Sequence, residues 1–407
     1  MRFRAGYVSP CGGRAPYRAT LAAVSVNSCL NRCSANSNPI KEDGTLKINL
    51  CRAGGMLAVV FLATALAVAG EDGRDVFVLT STNNPSANDV VVFQLNTAGT
   101  PSLALVDMLP TGGNGGASGN AGILQFTDNL GAVANYGSNS VSQLVRDGNI
   151  ISVGRTIKLA PGCVDPDSVA LTEGQFFGLI GGHLFVVGTN CAESHAWPSG
   201  HVDGAVVGLT DTSAGQIAVG SHWAAVTLKS GSVLQLPLTG GGALNGTSTT
   251  ITLPSSANNT PLGEAFWGDI LGFTPAHSAD SFAIVDKYRN VFPIVGPTPP
   301  YPDNAPCWVT KGPGSAWYTG NSPGMAISIF FSDGQGGVFY KSVPLPRVPT
   351  DITVSPDGKW LAVIYTASGE GYVAVFSIDA YGDLSPTPVA TSSSVGVAAF
   401  NGVAISQ

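Results

Sequence analysis

The feature that most constrains the fold is a repeat of roughly 40–50 residues that begins near residue 75. Its clearest copy has a strand at 351–355, the turn Pro356-Asp357-Gly358, further strands at 360–365 and 372–378, and a fourth near 386–391. Similar units begin near Ala121, Asp167, Gln216, Glu264 and Cys307. Because one four-stranded sheet cannot bury both of its faces, such units stack around an axis. The sequence predicts an all-β chain, a β-propeller of four-stranded antiparallel blades.

The two ends of the repeat region predict how the ring closes. The chain enters at 76–79 with what resembles a second strand of a blade, and strands follow at 90–95 and 103–108. The missing innermost strand is available at the C-terminus, at 396–400 or 403–405. We therefore expect the N- and C-terminal strands to share blade one, which gives seven blades, with six or eight as alternatives.

Composition supports many short strands and excludes one class of partner. The chain has 52 Gly and 27 Pro, and only 11% of its residues are charged, a mixture typical of strands joined by tight turns. From residue 56 onward, 24 acidic residues outnumber 11 basic ones. Since nucleic-acid affinity depends on neutralising phosphates with Lys and Arg, we expect no nucleic-acid partner.

An apolar run at 56–69 is the clearest targeting signal. It is too short to span a bilayer, has the length of a signal-peptide core, and ends in the small-x-small pattern Ala67-Val68-Ala69. We predict a leader at 1–55 that is disordered or not translated, a signal segment at 56–69 and a propeller at 70–407. The alternative for 56–69 is a signal anchor. The mature form is then secreted, extracellular or periplasmic in a bacterium, without a stable membrane span.

Several segments resemble the lactonase-like propellers, the family of 6-phosphogluconolactonase-type and carboxymuconate-cyclase-type enzymes. The likeness rests on five stretches of the sequence, at 76–92, Thr111-Gly-Gly-Asn-Gly-Gly116, Ala134-Asn-Tyr-Gly-Ser-Asn-Ser-Val141, Ala305-Pro-Cys-Trp-Val309 with Tyr318-Thr-Gly-Asn321, and Ser355-Pro-Asp-Gly-Lys359. The resemblance spans 75–400. It implies a seven-bladed fold and a hydrolase or cyclase of a small lactone-type ring at the channel mouth.

A second function stays open, because a propeller hosts unrelated activities. The alternative is a non-catalytic extracellular binding or scaffold propeller, which a plugged channel would favour. In both cases we expect a monomer whose partner is a small molecule or a carbohydrate-like ligand.

Candidate catalytic residues lie in the polar segment 188–203, which we expect to form a long loop between the second and third strands of blade three. It carries Glu193, His195 and His201, and a carboxylate beside imidazole suits general-base activation of water. Asn190 and Trp197 in the same segment are candidate ligand contacts. The spacing of Glu193, His195 and His201 matches no standard zinc pattern, so no metal is assigned. The alternative is a solvated insertion with surface histidines.

Cysteine placement predicts one disulfide. Cys163 precedes the first strand of blade three and Cys191 lies in the segment 188–203, so both fall at the same end of that blade. We predict a Cys163–Cys191 bond, which leaves Cys307 as a free thiol.

A second polar and aromatic group opens blade five. Glu264, Trp267 and Asp269 could line a channel and bind a sugar-like or lactone ring, with Trp267 as a packing residue in the alternative. We expect no cofactor. A less favoured expectation is calcium, because Asn135, Asn190, Glu264 and Asp269 offer hard oxygen ligands.

Overall fold

The computed structural model describes residues 75–117, 121–127, 129–172, 175–176, 179–180, 182–277, 282–294, 296, 305–322 and 324–407. They belong to the compact unit Glu71–Gln407. The predictions for 1–55 and 56–69 lie outside the described residues. Within the described part, no helix is long and apolar enough to cross a membrane.

The described chain is built of strands and a single 3-10 turn, Tyr136–Ser138. In chain order the strands are β1 (Val76–Ser81), β2 (Asp89–Asn96), β3 (Ser102–Pro110), β4 (Leu124–Thr127), β5 (Leu130–Asn135), β6 (Ser140–Asp147), β7 (Ile150–Lys158), β8 (Pro166–Leu171), β9 (Gln175–Phe176), β10 (Leu179–Ile180), β11 (Gly182–Gly188), β12 (Cys191–Trp197), β13 (His201–Val202), β14 (Val207–Gly208), β15 (Ala214–Val219) and β16 (Trp223–Leu228). They continue with β17 (Ser232–Pro237), β18 (Thr249–Thr252), β19 (Pro261–Trp267), β20 (Ile270–Pro275), β21 (Phe282–Val285), β22 (Val291–Ile294), β23 (Pro306–Lys311), β24 (Ala316–Asn321), β25 (Ala326–Ser332), β26 (Gly337–Pro344), β27 (Pro349–Val354), β28 (Trp360–Ala367), β29 (Glu370–Ser377), β30 (Ala390–Thr391) and β31 (Asn401–Ser406).

These strands form a seven-bladed propeller. The sheets are β31-β1-β2-β3, β4-β5-β6-β7, β8-β11-β12-β13 with β14 beside β12, β15-β16-β17-β18, β19-β20-β21-β22, β23-β24-β25-β26 and β27-β28-β29-β30, and β9 with β10 forms a small hairpin. All pairings are antiparallel, and β1 pairs with the C-terminal β31 from Phe77↔Ser406 to Thr80↔Val403. The predicted fold, blade number and ring closure are confirmed.

The core is divided among the blade interfaces. In the described residues, seven apolar clusters each join two neighbouring blades around the ring. Each strand alternates its side chains between the two adjacent blades, which is why the second strands are apolar on both faces, as in WAAVTL of β16. The blades therefore depend on each other for burial.

The innermost strands surround a central channel. They are β31, β4, β8, β15, β19, β23 and β27, and consecutive members of this set contact one another. Six of them have a register irregularity within their first residues, and four of those six begin with Pro, which donates no ladder hydrogen bond. We call the end where the inner strands begin the upper end, and the other the lower end.

Candidate functional site

A short segment before β4 lies across the upper end of the channel. The Gly122 carbonyl accepts hydrogen bonds from the N–H of Val169 (2.8 Å) and the hydroxyl of Ser168 (3.2 Å) in blade three. The Ala121 N–H donates to the Gly215 carbonyl of blade four (3.3 Å). The Asp351 carboxylate of blade seven also faces the Gly122 N–H. Residues 121–123 therefore contact blades three, four and seven, and we call them the plug at the channel axis.

Gly122 permits this close approach. It has a φ of +68°, and a Cβ there would lie 2.7 Å from Ser168 Oγ and 3.0 Å from Gln216 Nε2. A left-handed conformation and the lack of space both require glycine. The sequence Ala121-Gly122-Ile123 therefore fits the plug, because Gly122 meets both the backbone and the space requirement.

Below the plug is a cavity of about 190 Å³ within the channel. The side chains that line it belong to the inner strands and include Gln125, Gln216, Glu264, Thr310, Asp351 and Thr353. The residues described around this cavity include carboxylates, amides and hydroxyls but no Lys, Arg or His. The inner strands also present one unpaired backbone edge to the channel.

Glu264 is the most unusual group in the cavity. The residue is 1% exposed, and neither carboxylate oxygen has a hydrogen-bond partner. Burial raises the pKa of Glu264 well above its usual value, and the nearby Ala218 N–H, which does not complete a hydrogen bond, offsets this only in part. Burial therefore favours the neutral form of this carboxyl group.

Asp351 is the second buried acid, and it holds the plug. Its carboxylate faces the backbone N–H groups of Ile352, Val403 and Gly122, and the Ile352 N–H donates to Oδ1 at 2.8 Å. Burial raises the pKa of Asp351 to about 7 although these donors act in the opposite direction. One side chain of blade seven thus links blade one and the plug.

A histidine and an aspartate meet at the lower end of the channel. His222 lies in the β15–β16 turn, and its Nδ1 is 2.7 Å from Oδ2 of Asp269 in the β19–β20 turn. The His222 backbone N–H donates to Oδ1 of the same carboxylate (3.1 Å). The His222 side chain is 81% exposed, so its second ring nitrogen faces solvent.

Glycines bring these two turns together. The Ser221 N–H donates to the Gly268 carbonyl (3.1 Å), and a Cβ on Gly220 would lie 2.6 Å from that same oxygen. The turns of blades four and five therefore contact each other through their backbones, which fixes His222 against Asp269.

Trp267 and Lys311 complete this group, which we call the lower rim. Trp267 ends β19 and is 42% exposed, and Lys311 ends β23 with its Nζ 5.1 Å from the centre of the Trp267 ring. Lys311 Nζ donates to the carbonyls of Gly312 (2.6 Å) and Gly314 (2.7 Å). Burial lowers the pKa of Lys311 to about 8. Both residues directly follow cavity-lining positions, Phe266 and Thr310.

The structure brings Glu193 and His195 together but not in a loop. The expected loop at 188–203 is wrong, because residues 191–197 form β12, paired with β11 from Val187↔Ala192 to Gly182↔Trp197. Glu193 Oε1 lies 2.8 Å from His195 Nε2, and the two residues are 0% and 1% exposed. Two polar residues fit a buried strand here because their side chains are hydrogen-bonded to each other.

This pair lies between blades two and three, away from the channel. Glu193 Oε2 accepts the Ala160 N–H (2.9 Å), and His195 Nδ1 is 3.2 Å from the Gly200 carbonyl oxygen. His201 is exposed on β13, and its backbone pairs with Ala196. A catalytic role for Glu193, His195 and His201 stays a prediction.

The predicted disulfide is confirmed. Cys163 and Cys191 are bonded, with their Cα atoms 5.6 Å apart. Beside it, Asn190 fastens the same turn, because its Oδ1 accepts the Val164 N–H (3.1 Å) and its Nδ2 donates to the Gly162 carbonyl (2.6 Å). Cys307 is free, as expected, and burial raises the pKa of its thiol to about 11.

The remaining predicted ligand contacts lie in separate places. Asn135 is buried at the end of β5, where its Oδ1 accepts from Thr111 Oγ1 (2.8 Å) and Asn88 Nδ2 (3.1 Å). Trp197 is 2% exposed at the end of β12. Glu264 lies in the cavity, whereas Trp267 and Asp269 lie at the lower rim. The oxygens of Asn135, Asn190, Glu264 and Asp269 therefore do not form one calcium site.

Sequence reasoning missed His222, Lys311 and Asp351. His222 immediately precedes the apolar strand β16 and lies in the turn. The signal was present in the repeat itself, because the turns after the inner strands of blades four, five and six meet at the same end of the channel. Aligning those turns by their position in the repeat places His222, Asp269 and Lys311 together.

Comparisons with known proteins give the fold. No family model matches the chain, and no curated protein matches it. Among solved structures, the periplasmic gluconolactonase of Pseudomonas aeruginosa is 15% identical with a TM-score of 0.57, covering 82% of this chain and 98% of its own. A candidate 6-phosphogluconolactonase from Bacteroides fragilis gives 14% identity and 0.55 over 79% and 99%. A protein from Lactobacillus plantarum gives 14% and 0.60 over 82% and 99%.

The chain shares the seven-bladed propeller fold of these proteins. At these identities the likeness concerns the fold alone, and an activity has to be argued from the residues of the site. Two features of this propeller are relevant to function, the acidic cavity below the plug and the lower rim beside it.

Proposed function

We propose that the protein hydrolyses small lactone-type rings at the lower rim of its channel. The observation that carries the proposal is the pairing of His222 Nδ1 with Asp269 at 2.7 Å, with the other ring nitrogen in solvent. A carboxylate that holds one imidazole nitrogen leaves the other as a general base. The names of two fold neighbours, a gluconolactonase and a candidate 6-phosphogluconolactonase, support this choice of substrate class.

In the proposed reaction, Asp269 accepts the Nδ1 proton of His222 in a hydrogen bond, so Nε2 carries a lone pair. Nε2 takes a proton from water while the water oxygen bonds to the lactone carbonyl carbon. The ring C–O bond then breaks, and the proton passes from Nε2 to the departing alkoxide. The products are a hydroxy acid and the unchanged imidazole.

Trp267 and Lys311 support this proposal. The exposed indole offers a flat apolar surface to a ring substrate. Two protons of the Lys311 ammonium go to carbonyls, which leaves a third for the oxygen that becomes negative in the transition state. The positions of both residues, next to the cavity lining, would keep a small ring at the channel end.

The test is proton release from aliphatic, aromatic and sugar lactones, with His222→Gln and Asp269→Asn beside the unsubstituted protein. We expect a loss of kcat of roughly 10²-fold or more in His222→Gln, the contribution of a general base. His277→Gln, another exposed histidine, is the matched control and should not change kcat. Equal turnover in His222→Gln would overturn the site but keep the activity. Glu193→Gln and His195→Gln would then test the buried pair.

A second candidate function is favoured by the plug. Residues 121–123 close the upper end of the channel, where we expected a ligand to enter, and this suits a non-catalytic binding or scaffold propeller. A folded sample that turns over no lactone of the panel would support that alternative.

We also propose that the propeller acts outside the cytosol as a monomer. The Cys163–Cys191 bond supports the location, because disulfides persist in secreted and periplasmic proteins. Fractionation of cells that express the full chain, with sedimentation of the released protein, tests both statements.

A further inference from the structure

The polar side chains that line the cavity below the plug are acidic or neutral. Its lining side chains offer oxygen atoms from Glu264, Asp351, Gln216, Thr310 and Thr353, and the described lining contains no basic residue. The unpaired edges of the inner strands add backbone carbonyls. Beside apolar residues such as Ile217, Ala218 and Phe266, the polar part of this lining offers the oxygen ligands of a hard-cation site.

Glu264 gives the second, independent observation. Both oxygens of this carboxyl group are buried and lack a hydrogen-bond partner. A polar group left unpaired in the interior costs on the order of 1–3 kcal/mol, and burial without compensation is unusual in native proteins. The other buried acid at the axis, Asp351, is supplied with backbone N–H groups, so Glu264 is the one that a ligand would satisfy.

Gln216 adds a second oxygen to the same cavity lining. Its Oε1 lies 2.8 Å from the backbone N of Glu264, from which it accepts a hydrogen bond. A side-chain amide oxygen has a second lone pair, with which it can also contact an ion.

We propose that the channel cavity binds one calcium ion, with the Glu264 carboxylate and the Gln216 amide oxygen among its ligands. Calcium fits an all-oxygen set of flexible geometry, whereas magnesium requires a near-ideal octahedron and keeps several waters. Transition metals favour imidazole or thiolate, neither of which the described lining provides. The site is separate from the lower rim and does not depend on the proposed hydrolysis.

Binding must also balance protons. Burial favours the neutral form of the Glu264 carboxyl group, whereas a bound cation favours the carboxylate. A carboxyl group that is protonated before binding breaks its O–H bond when calcium binds, and the proton leaves to solvent. Affinity therefore rises with pH.

The test is calorimetric titration of the full-length protein with CaCl₂ after chelator treatment. We expect one ion per chain and a higher Tm with calcium than with equal MgCl₂. Glu264→Gln should weaken calcium binding at least 100-fold, whereas Glu370→Gln, at the start of β29, should leave it unchanged.

Folding can be checked independently, because a neutral amide is nearly isosteric with the protonated carboxyl. Glu264→Gln should unfold cooperatively in urea without calcium. If this folded variant binds calcium as the unsubstituted protein does, or if no one-to-one binding is seen up to millimolar CaCl₂, the proposal is overturned. Equal affinity for magnesium would also overturn it, as would binding that Glu370→Gln weakens to the same degree, since that indicates an adventitious ion only. Lactone turnover is measured separately, so failure of either proposal leaves the other standing.

Discussion

His183 Nδ1 lies 2.6 Å from Oδ2 of Asp203, and the opposite ring nitrogen lies 2.7 Å from the carbonyl oxygen of Gly241. Asp203 follows β13 in blade three, and Gly241 lies between β17 and β18 in blade four. Because a carboxylate and a carbonyl both accept, both ring nitrogens must donate, and the ring is an imidazolium. The hydrogen bond to Asp203 accordingly raises the pKa of His183.

This link predicts a pH-dependent stability. With a raised pKa in the folded state, the contribution is full below the unfolded value of about 6.5 and is lost as pH rises through the folded value. We expect His183→Gln to cost roughly 1–2 kcal/mol in urea unfolding at pH 5.5, and less at pH 9. His201→Gln, an exposed histidine of the same blade, is the control. A loss that is the same at both pH values would contradict the imidazolium.

The buried acids predict a loss of stability in the same direction, over a lower pH range. Because the pKa of Asp351 is raised to about 7 and that of Glu264 is also raised, the folded protein holds these protons longer than the unfolded chain. Stability therefore falls as pH rises from about 4 towards 7. Asp351→Asn removes one of the two, so its free energy of unfolding relative to the unsubstituted protein should improve by a few kcal/mol between pH 4.5 and pH 8. Parallel pH profiles for the two proteins would refute the assignment.

Lys311 predicts the alkaline limit of lactone hydrolysis. Burial lowers the pKa of Lys311 to about 8, so its ammonium is lost above that pH, whereas a guanidinium stays charged. We expect kcat to fall above pH 8 in the unsubstituted protein and to persist to about pH 9.5 in Lys311→Arg. An alkaline limb that Lys311→Arg leaves in place would exclude a cationic role for this residue.

The fold was predictable because its signals are local and repeated. Each blade carries its own alternation and turns, and Pro356-Asp357-Gly358 forms the expected turn, with a φ of +71° at Gly358. Closure was predictable by counting, since a blade that lacks its innermost strand needs another, and β31 supplies it. The disulfide followed from where two cysteines fall within one blade.

The site was less predictable because it depends on contacts between blades. His222 and Asp269 are 47 residues apart, and neither is distinctive in its own turn. The polar segment 188–203 predicts a loop at Glu193 and His195, whereas in the structure the two residues lie in a buried strand and contact each other at 2.8 Å. Nothing in the local sequence of Gly122 indicates that it crosses the channel axis.

Reduction of the Cys163–Cys191 bond tests how the blade-two to blade-three connection is held. The two residues are 28 apart in the chain, and closing a loop of this length stabilises a protein by about 3 kcal/mol through the unfolded state. Cys163→Ser/Cys191→Ser should lower the free energy of unfolding by that order in guanidinium titration. Cys307→Ser keeps the disulfide and controls for thiol loss. An equal effect in both variants would mean that the bond contributes little.

The plug predicts a cost for any side chain at Gly122. In Gly122→Ala the new Cβ meets Ser168 Oγ at 2.7 Å, and the residue must also hold a φ of +68°. Gly99 is the matched control, because it has a φ of +75° and nothing within 4 Å of a Cβ, so Gly99→Ala measures the backbone strain alone, about 1 kcal/mol. We expect Gly122→Ala to cost a further 1–3 kcal/mol, typical of overpacking, in urea unfolding. Equal losses in the two variants would show that blades three and four can move away from the axis, and that the plug is not tightly held.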